Sequence, residues 1–416
     1  MAVYYIDPIH GSANGSGLSP EDALLSNKGL NVLPGDSVLF RRGGEIFDAL
    51  WNQSGAPGAP IYYGAYGEGP APRFNGSVDV SRPECWQKVE GMKNVWKCLG
   101  PLNTQVCNFV FNDDTGAALQ WDKQALTANG DFWDSAFGTD YMAPEDHDVY
   151  LYCEDNPAVF YKRVECVLRA HRHFIESGHD YIVDGLDFIK TGVHGLGGLN
   201  ENRRITVKNC RFRFIGGCCW SLELRIRFGN GCEFWNVCED VTLDHCTFEE
   251  IYDSGITHQG LPDEVQPAVN FVMTNNLFVR CGMGAYEQRD VQPLSAEFSR
   301  NTCMDAGLGF SHLHTPMPRA SEIWPQPMGH HIFLWRMEKA TPGAEFVLKD
   351  NTFLNARWGG AIYSVCAAEV DKTTIVDGNL YHMPERTLLN RYLGRDFDDF
   401  DDYRTVTGKD GRGMIV

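Results

Sequence analysis

One short pattern recurs along the chain and limits the folds open to it more than any other feature. Five segments superpose: ITVKNCRF ending at Phe212, VTLDHCTF at Phe248, FVMTNNLF at Phe278, AEFSRNTCM at Met304 and FVLKDNTF at Phe353. Weaker copies end at Phe188 and Tyr381. The interval runs from 24 residues (Phe188 to Phe212) to 49 (Met304 to Phe353). The short intervals suit one coil of a β-solenoid, and the long ones imply loops inserted into a coil. Each copy closes on a large apolar residue. Three positions earlier the strong copies carry a polar turn former: Asn209, His245, Asn275, Asn301 and Asp350. Stacked coils then predict an internal aromatic ladder and an Asn-rich ladder at one turn, because Asn tolerates left-handed backbone angles and bonds along a stack. These Phe and Asn residues build the core and carry no chemistry.

The expected fold is therefore all-β: a single-stranded parallel β-helix spanning 1–416 as one domain. Residues 1–165 supply the first coils, an N-terminal cap and an irregular excursion. The runs Leu30 to Phe40 and Gly55 to Ser77 combine β-rich stretches with Gly/Pro turns. The excursion, from Trp86 to Tyr161, holds Trp86, Trp96, Trp121 and Trp133. Residues 166–385 are the regular coils, and 386–416 form an acidic C-terminal tail or cap. Asp398, Asp399, Asp401 and Asp402 lack the alternating ligands and glycine of a calcium loop, so a solvated tail is expected there. No metal or other cofactor is predicted.

Lys and Arg number 36 against 55 Asp and Glu, a net charge of −19. That balance argues against nucleic acid or an anionic membrane as the main partner. No stretch approaches the roughly 20 apolar residues of a membrane span. The fourteen Cys have no zinc-finger spacing, and several fall at apolar positions of the repeat, which predicts buried free thiols and a reducing compartment. The chain passes directly from Met1-Ala2 into an apolar run, Val3 to Ile6. A cytoplasmic location is expected; the alternative is a secreted or periplasmic protein whose leader has been removed.

The opening YYIDP…GLSPEDAL…LPGDSVLFRRG…GAPIYYGAYGEG, the stretch FGNGCEFWN…IYDSGITHQG (Phe228 to Gly260) and AYEQRD (Ala285 to Asp290) resemble the pectate-lyase-like superfamily of carbohydrate-active enzymes. Within it, the likeness is to a largely uncharacterised, glycoside-hydrolase-like group. The resemblance implies a right-handed parallel β-helix acting on carbohydrate, and the superfamily hosts hydrolases, lyases, epimerases and passive binders.

Aligning coils on the ladder places a further strand after each copy. Alternation puts Cys232, Phe234, Ile256 and Tyr286 on the inner face, which His258 and Gln288 fit poorly. The outer face carries Glu233, Thr257 and Glu287 in one column and Trp235, Gln259 and Arg289 in the next. Glu233 and Glu287, two coils apart, have backbones about 9.6 Å from one another. Tilt can bring their carboxyls into the ~6.5–9.5 Å window of an inverting glycosidase. Asp253, at the turn before the middle strand, is a third carboxylate. The expected catalytic groups are Glu233, Glu287 and Asp253, with Trp235, Gln259, Arg289, His258, His314 and Tyr286 binding sugar. One carboxyl, in the more apolar setting beside Trp235 or Tyr286, is expected to hold the acid proton. Solvated outward glutamates are common, so the shared column carries the assignment. Hydrolysis is the first reading. A lyase or uronate epimerase would recruit Arg289, His258 or His314 on a face poor in Lys. A non-catalytic glycan binder would need no carboxylate cluster.

Overall fold

The computed structural model describes residues 1–137, 147–169, 173–199, 201–312, 329–357, 359–383 and 390–416. Each full coil lays one strand in each of three sheets, termed A, B and C in the order the chain visits them; the first two coils have no strand in sheet C. Sheet A has ten strands from Val3–Ile6 to Thr374–Asp377, and sheet B ten from Glu45–Ile46 to Met414–Ile415. Sheet C has nine, from His173–Glu176 to Arg395–Phe397. Pairing within sheets A and B is parallel throughout, as in Tyr181↔Ile205↔Val241↔Phe271. In sheet C only the terminal pair, Asn390–Tyr392 with Arg395–Phe397, is antiparallel. The molecule is a parallel β-helix.

The turn from sheet A to sheet B explains why the repeat is so visible. Gly185, Asn209, His245, Asn275, Arg300, Asp350 and Gly378 occupy it with φ between 52° and 73°, a region that Gly and Asn enter at least cost. Three residues on, the ladder points inward. Phe74, Phe188, Phe212, Phe248 and Phe278 stack with ring centroids 5.0–5.3 Å apart and planes within 19°. The next rungs are Cys303, Phe353 and Tyr381.

Met304 is therefore not a ladder residue. In that coil the left-handed position is Arg300 rather than Asn301, so the expected register is displaced by one. Phe298 from sheet A fills the space left by Cys303, with its ring 5.7 Å from Phe278. Asn301 belongs to the next position along the turn, where a buried ladder runs Asn276, Asn301, Asn351, Asn379 and Asp410. Each Asn Nδ2 donates to the following rung at 3.0–3.2 Å and to a sheet A carbonyl. Cys210 and Cys246 occupy the same position in earlier coils, their thiols directed at sheet A carbonyls.

The C-terminal segment is not a solvated tail. Asp399 caps the helix Phe400–Thr407, Tyr403 is buried, Asp410 ends the Asn ladder, and Met414–Ile415 pairs with Leu380–His382. The acidic run caps the solenoid.

Insertions concentrate at the turn from sheet B to sheet C. The excursion is an antiparallel unit between Arg73–Asn75 of sheet B and His173–Glu176 of sheet C, with its own core including Phe109, Phe132 and Leu151. A buried ion cluster holds it to the coils: Lys190 of sheet B contacts Glu165 and Asp113 of the excursion. A hairpin, Cys218–Ser221 with Ile226–Phe228, enters at the same turn, as does the short 3-10 turn Phe310–His312. On the opposite side, 260–268 and 336–344 lengthen the turns from sheet C back to sheet A. The outer face of sheet C is thus flanked along both edges.

Phe278→Ala should cost about 3–5 kcal/mol in a denaturant titration, as a large-to-small change in a packed core. A loss under about 1 kcal/mol would contradict the ladder.

Candidate functional site on the outer face of sheet C

Six strands of sheet C place their side chains in register: His194–Leu199, Cys232–Trp235, Ser254–Gln259, Gly284–Arg289, Ile332–Trp335 and Ile362–Val365. The central outward column reads Gly197, Glu233, Thr257, Glu287, Phe333, Tyr363. The column beside it reads Leu199, Trp235, Gln259, Arg289, Trp335, Val365. Both expected columns are present, with Thr257 between the two glutamates. Gly197 sits at φ +146, where a Cβ would lie 1.8 Å from the Glu233 carbonyl oxygen, so only glycine lets the coil below approach this strand.

Glu233 is almost enclosed. Its Oε2 lies 2.8 Å from His194 Nε2 and accepts from Asn230 Nδ2 at 3.1 Å. The Asn230 backbone N–H donates to His194 Nδ1 at 3.0 Å. That bond leaves the neutral ring's proton on Nε2, pointed at Glu233. His173 stacks on His194, centroids 5.3 Å apart, and burial lowers its pKa. Burial opposes ionisation of Glu233. The His194 and His173 rings and the Asn230 amide outweigh it, holding the carboxyl at about 2.

Glu287 has different surroundings. Its Oε1 accepts from the Trp335 indole N–H at 2.8 Å, and its Oε2 lies 3.1 Å from the Thr257 hydroxyl. Glu233 therefore leans toward the preceding coil, whereas Glu287 is bonded to the coil on either side, Thr257 before it and Trp335 after it. Arg289 stands beside them, its guanidinium carbon 5.9 Å from the Trp235 ring centre and 5.4 Å from that of Trp335. Asp290 bridges Arg336 at 2.9 Å and lies 3.3 Å from Arg289; burial raises its pKa against the pull of both arginines.

Three expected positions do not join this face. His258 and Tyr286 point into the solenoid. His258 pairs with Gln288 at 2.9 Å, the Tyr286 hydroxyl donates to the same amide at 2.6 Å, and burial lowers His258 to about 4. The interior tolerates these polar groups because they bond one another, so neither can bind sugar on the outer face. Asp253 is buried at the entrance of its strand, where its Oδ2 accepts from the Gly229 N–H at 2.9 Å. That bond ties two coils together. His314 lies outside the described residues.

His194, His173, Asn230, Trp335 and Asp290 were missed as site residues. The strand carrying His194 reads HGLGGL, whose glycines hide its alignment with CEFW. Among the described residues no group of three His, Cys, Asp or Glu forms a metal site. A concavity of about 420 Å³ lies on the outer face of sheet A, where Asn270, Glu297, Arg300, Glu345 and Lys349 line it. It is a shallow polar furrow that brings together none of the groups described above.

No protein-family model matches the chain, and no curated protein matches it. Among solved structures, the complex of XylC with xylose is 13% identical with a TM-score of 0.53, over 92% of this chain and 62% of that one. The native GH136 lacto-N-biosidase from Eubacterium ramulus is 15% identical with a TM-score of 0.53, over 94% of this chain and 62% of that one. The chain thus spans about three-fifths of the length of either. Its fold is the parallel β-helix of these two structures.

The Glu233 environment has a pH signature. With a folded-state pKa near 2 against an ordinary 4.5, ionised Glu233 stabilises the fold above pH 4.5, and that contribution is lost as pH falls toward 2. Urea titrations should show wild type losing stability relative to Glu233→Gln across that window. A difference independent of pH would contradict the environment described.

Proposed function

We propose that the chain is a glycoside hydrolase acting on a polysaccharide or oligosaccharide along the outer face of sheet C. The observation that carries this reading is the register-locked pair Glu233 and Glu287 across Thr257, beside Trp235, Arg289 and Trp335, on a face flanked by insertions. A carbohydrate substrate is supported further by the fold held in common with the XylC–xylose complex and the GH136 lacto-N-biosidase.

Glu233, kept ionised by its donors, is the base that takes a proton from water. Glu287 is the acid. Its Oε1 accepts from the Trp335 indole N–H and its Oε2 from the Thr257 hydroxyl, which together fix the carboxyl on the face. The two backbones are about 9.6 Å apart, which favours the wide spacing of an inverting enzyme. Trp235 offers a stacking surface for a sugar ring, and Gln259 an amide for its hydroxyls. The fourteen free cysteines, thirteen of them buried, support a reducing compartment and with it a cytoplasmic location.

On an oligosaccharide identified by screening, Glu233→Gln and Glu287→Gln should each lower turnover by about 10²–10⁴ with the fold intact. Products should carry a new reducing end of inverted configuration. An unsaturated, ultraviolet-absorbing product would establish the lyase instead. Near-wild-type turnover of both variants would refute the assignment.

A further inference from the structure

The outward column of Glu233 and Glu287 continues into earlier coils. Glu176 pairs with Gly197, and Gly197 with Glu233. One coil before Glu176, Leu50 bridges Ile175 and lies inside the solenoid. Alternation then sets the next residue, Trp51, beside Glu176 on the outer face. Asn52 secures the link: its Nδ2 donates to the Glu176 carbonyl at 2.9 Å, and its Oδ1 accepts from the Glu176 N–H at 3.0 Å. The extended column reads Trp51, Glu176, Gly197, Glu233, Thr257, Glu287. Single exposed apolar side chains are ordinary on a protein surface. Trp51 differs in being 38% exposed and also held in place. Its Nε1 donates to Asp48 Oδ2 at 3.0 Å, and its carbonyl accepts from Asn27 Nδ2 at 3.0 Å. The Lys28 ammonium stands 4.6 Å from the ring centre and 3.9 Å from Asp48. An indole already fixed loses little further freedom when a ligand stacks on it. Lys28 is exposed and can move aside to donate to a hydroxyl, while Asp48 can accept from one. Toward Trp235 the surface stays apolar, because Leu199, the partner of Trp235 in the preceding coil, is exposed. The other end of the column offers no such platform. Phe333 is buried against Met283, Trp335 and Tyr363, and both Arg391 and His330 stand against the Tyr363 ring.

We propose that Trp51 is a distal sugar-binding platform: a glycan bound across Glu233 and Glu287 continues over the earlier coils and lays a ring on the Trp51 indole. This rests on the face of sheet C being the carbohydrate site, and it adds selection for chain length. Trp51 is three coils from Glu233 and four from Thr257, about 14 and 19 Å at about 4.8 Å per coil. One pyranose of an extended glycan covers about one coil at that spacing, so the platform is reached only by chains with about four residues on the Glu233 side of Thr257. The assignment concerns binding and is independent of whether Glu233 and Glu287 perform the chemistry.

The test is equilibrium binding to the full chain carrying Glu287→Gln, with Trp51 intact or replaced. The probes are length series, from disaccharide to octasaccharide, of xylo-, cello- and galacto-oligosaccharides and of oligogalacturonides. In at least one series affinity should rise with length until the chain spans the column. Trp51→Ala should then weaken the long members by about 5–30-fold, the range for truncating an aromatic anchor, while members too short to reach it change by less than about twofold. Trp51→Phe, which keeps a ring without the indole N–H, should recover most of the loss. Circular dichroism and the melting temperature check that both variants fold. An indole with a merely structural role would, when removed, weaken every length alike, and that result would overturn the proposal. So would affinity that ignores length, a length dependence that survives Trp51→Ala, or binding in none of the series. A length-dependent loss at Trp51, in a protein whose Glu233→Gln and Glu287→Gln variants turn over normally, would uphold this inference and refute the hydrolase reading alone. Cleavage lost in both glutamate variants, with affinity indifferent to Trp51, would refute this inference alone.

Discussion

Everything in this molecule depends on register between coils. Parallel strands about 4.8 Å apart place each side chain directly over its counterpart in the next coil, and a slip of one residue would turn every outward group inward. The turn between sheets A and B prevents such a slip in three ways. A left-handed residue sets where the chain bends. The aromatic ladder, with centroids 5.0–5.3 Å apart from Phe74 to Phe278, resists any shift along a strand. The Asn ladder gives each rung a bond to the next and a bond to sheet A, so a displaced rung would bury an unpaired amide.

The site inherits that precision on the other side of the solenoid. Glu233 and Glu287 stand in one column on either side of Thr257 because the strands of sheet C pair in register from coil to coil. Their electrostatics then diverge through neighbours of different kinds: two imidazoles and an amide around Glu233, an indole and a hydroxyl around Glu287. Loops inserted between sheets B and C change neither spacing, because a coil absorbs an insertion at a turn without altering its strands. The same turn can therefore carry a whole antiparallel unit, a hairpin or a short loop.

Much of the architecture was legible in the chain. The Phe residues of the ladder, the left-handed Asn209, Asn275 and Asp350, and the outward columns led by Glu233 and Trp235 follow from alternation and spacing. The misregistered coil shows the limit: NTC contains an Asn at the wrong offset, and only the pairing of Cys303 with Phe278 and Phe353 separates a turn Asn from a ladder Asn. Alternation put Tyr286 and His258 at inner positions, yet both were counted as sugar-binding groups because polarity was weighed above parity. His194 escaped notice because its strand is half glycine. Its role depends on a bond from the Asn230 backbone 36 residues away, which no local pattern encodes.

The central claim is that carbohydrate is bound and cleaved on the outer face of sheet C. A crystal structure of the Glu287→Gln variant with an uncleaved oligosaccharide tests it most directly. The account predicts a glycosidic oxygen over Thr257, a sugar ring against Trp235, and a water held by Glu233 on the far side of the ring. An oligosaccharide seated instead in the furrow on sheet A, among Asn270, Glu297, Arg300 and Lys349, with the face of sheet C empty, would contradict it.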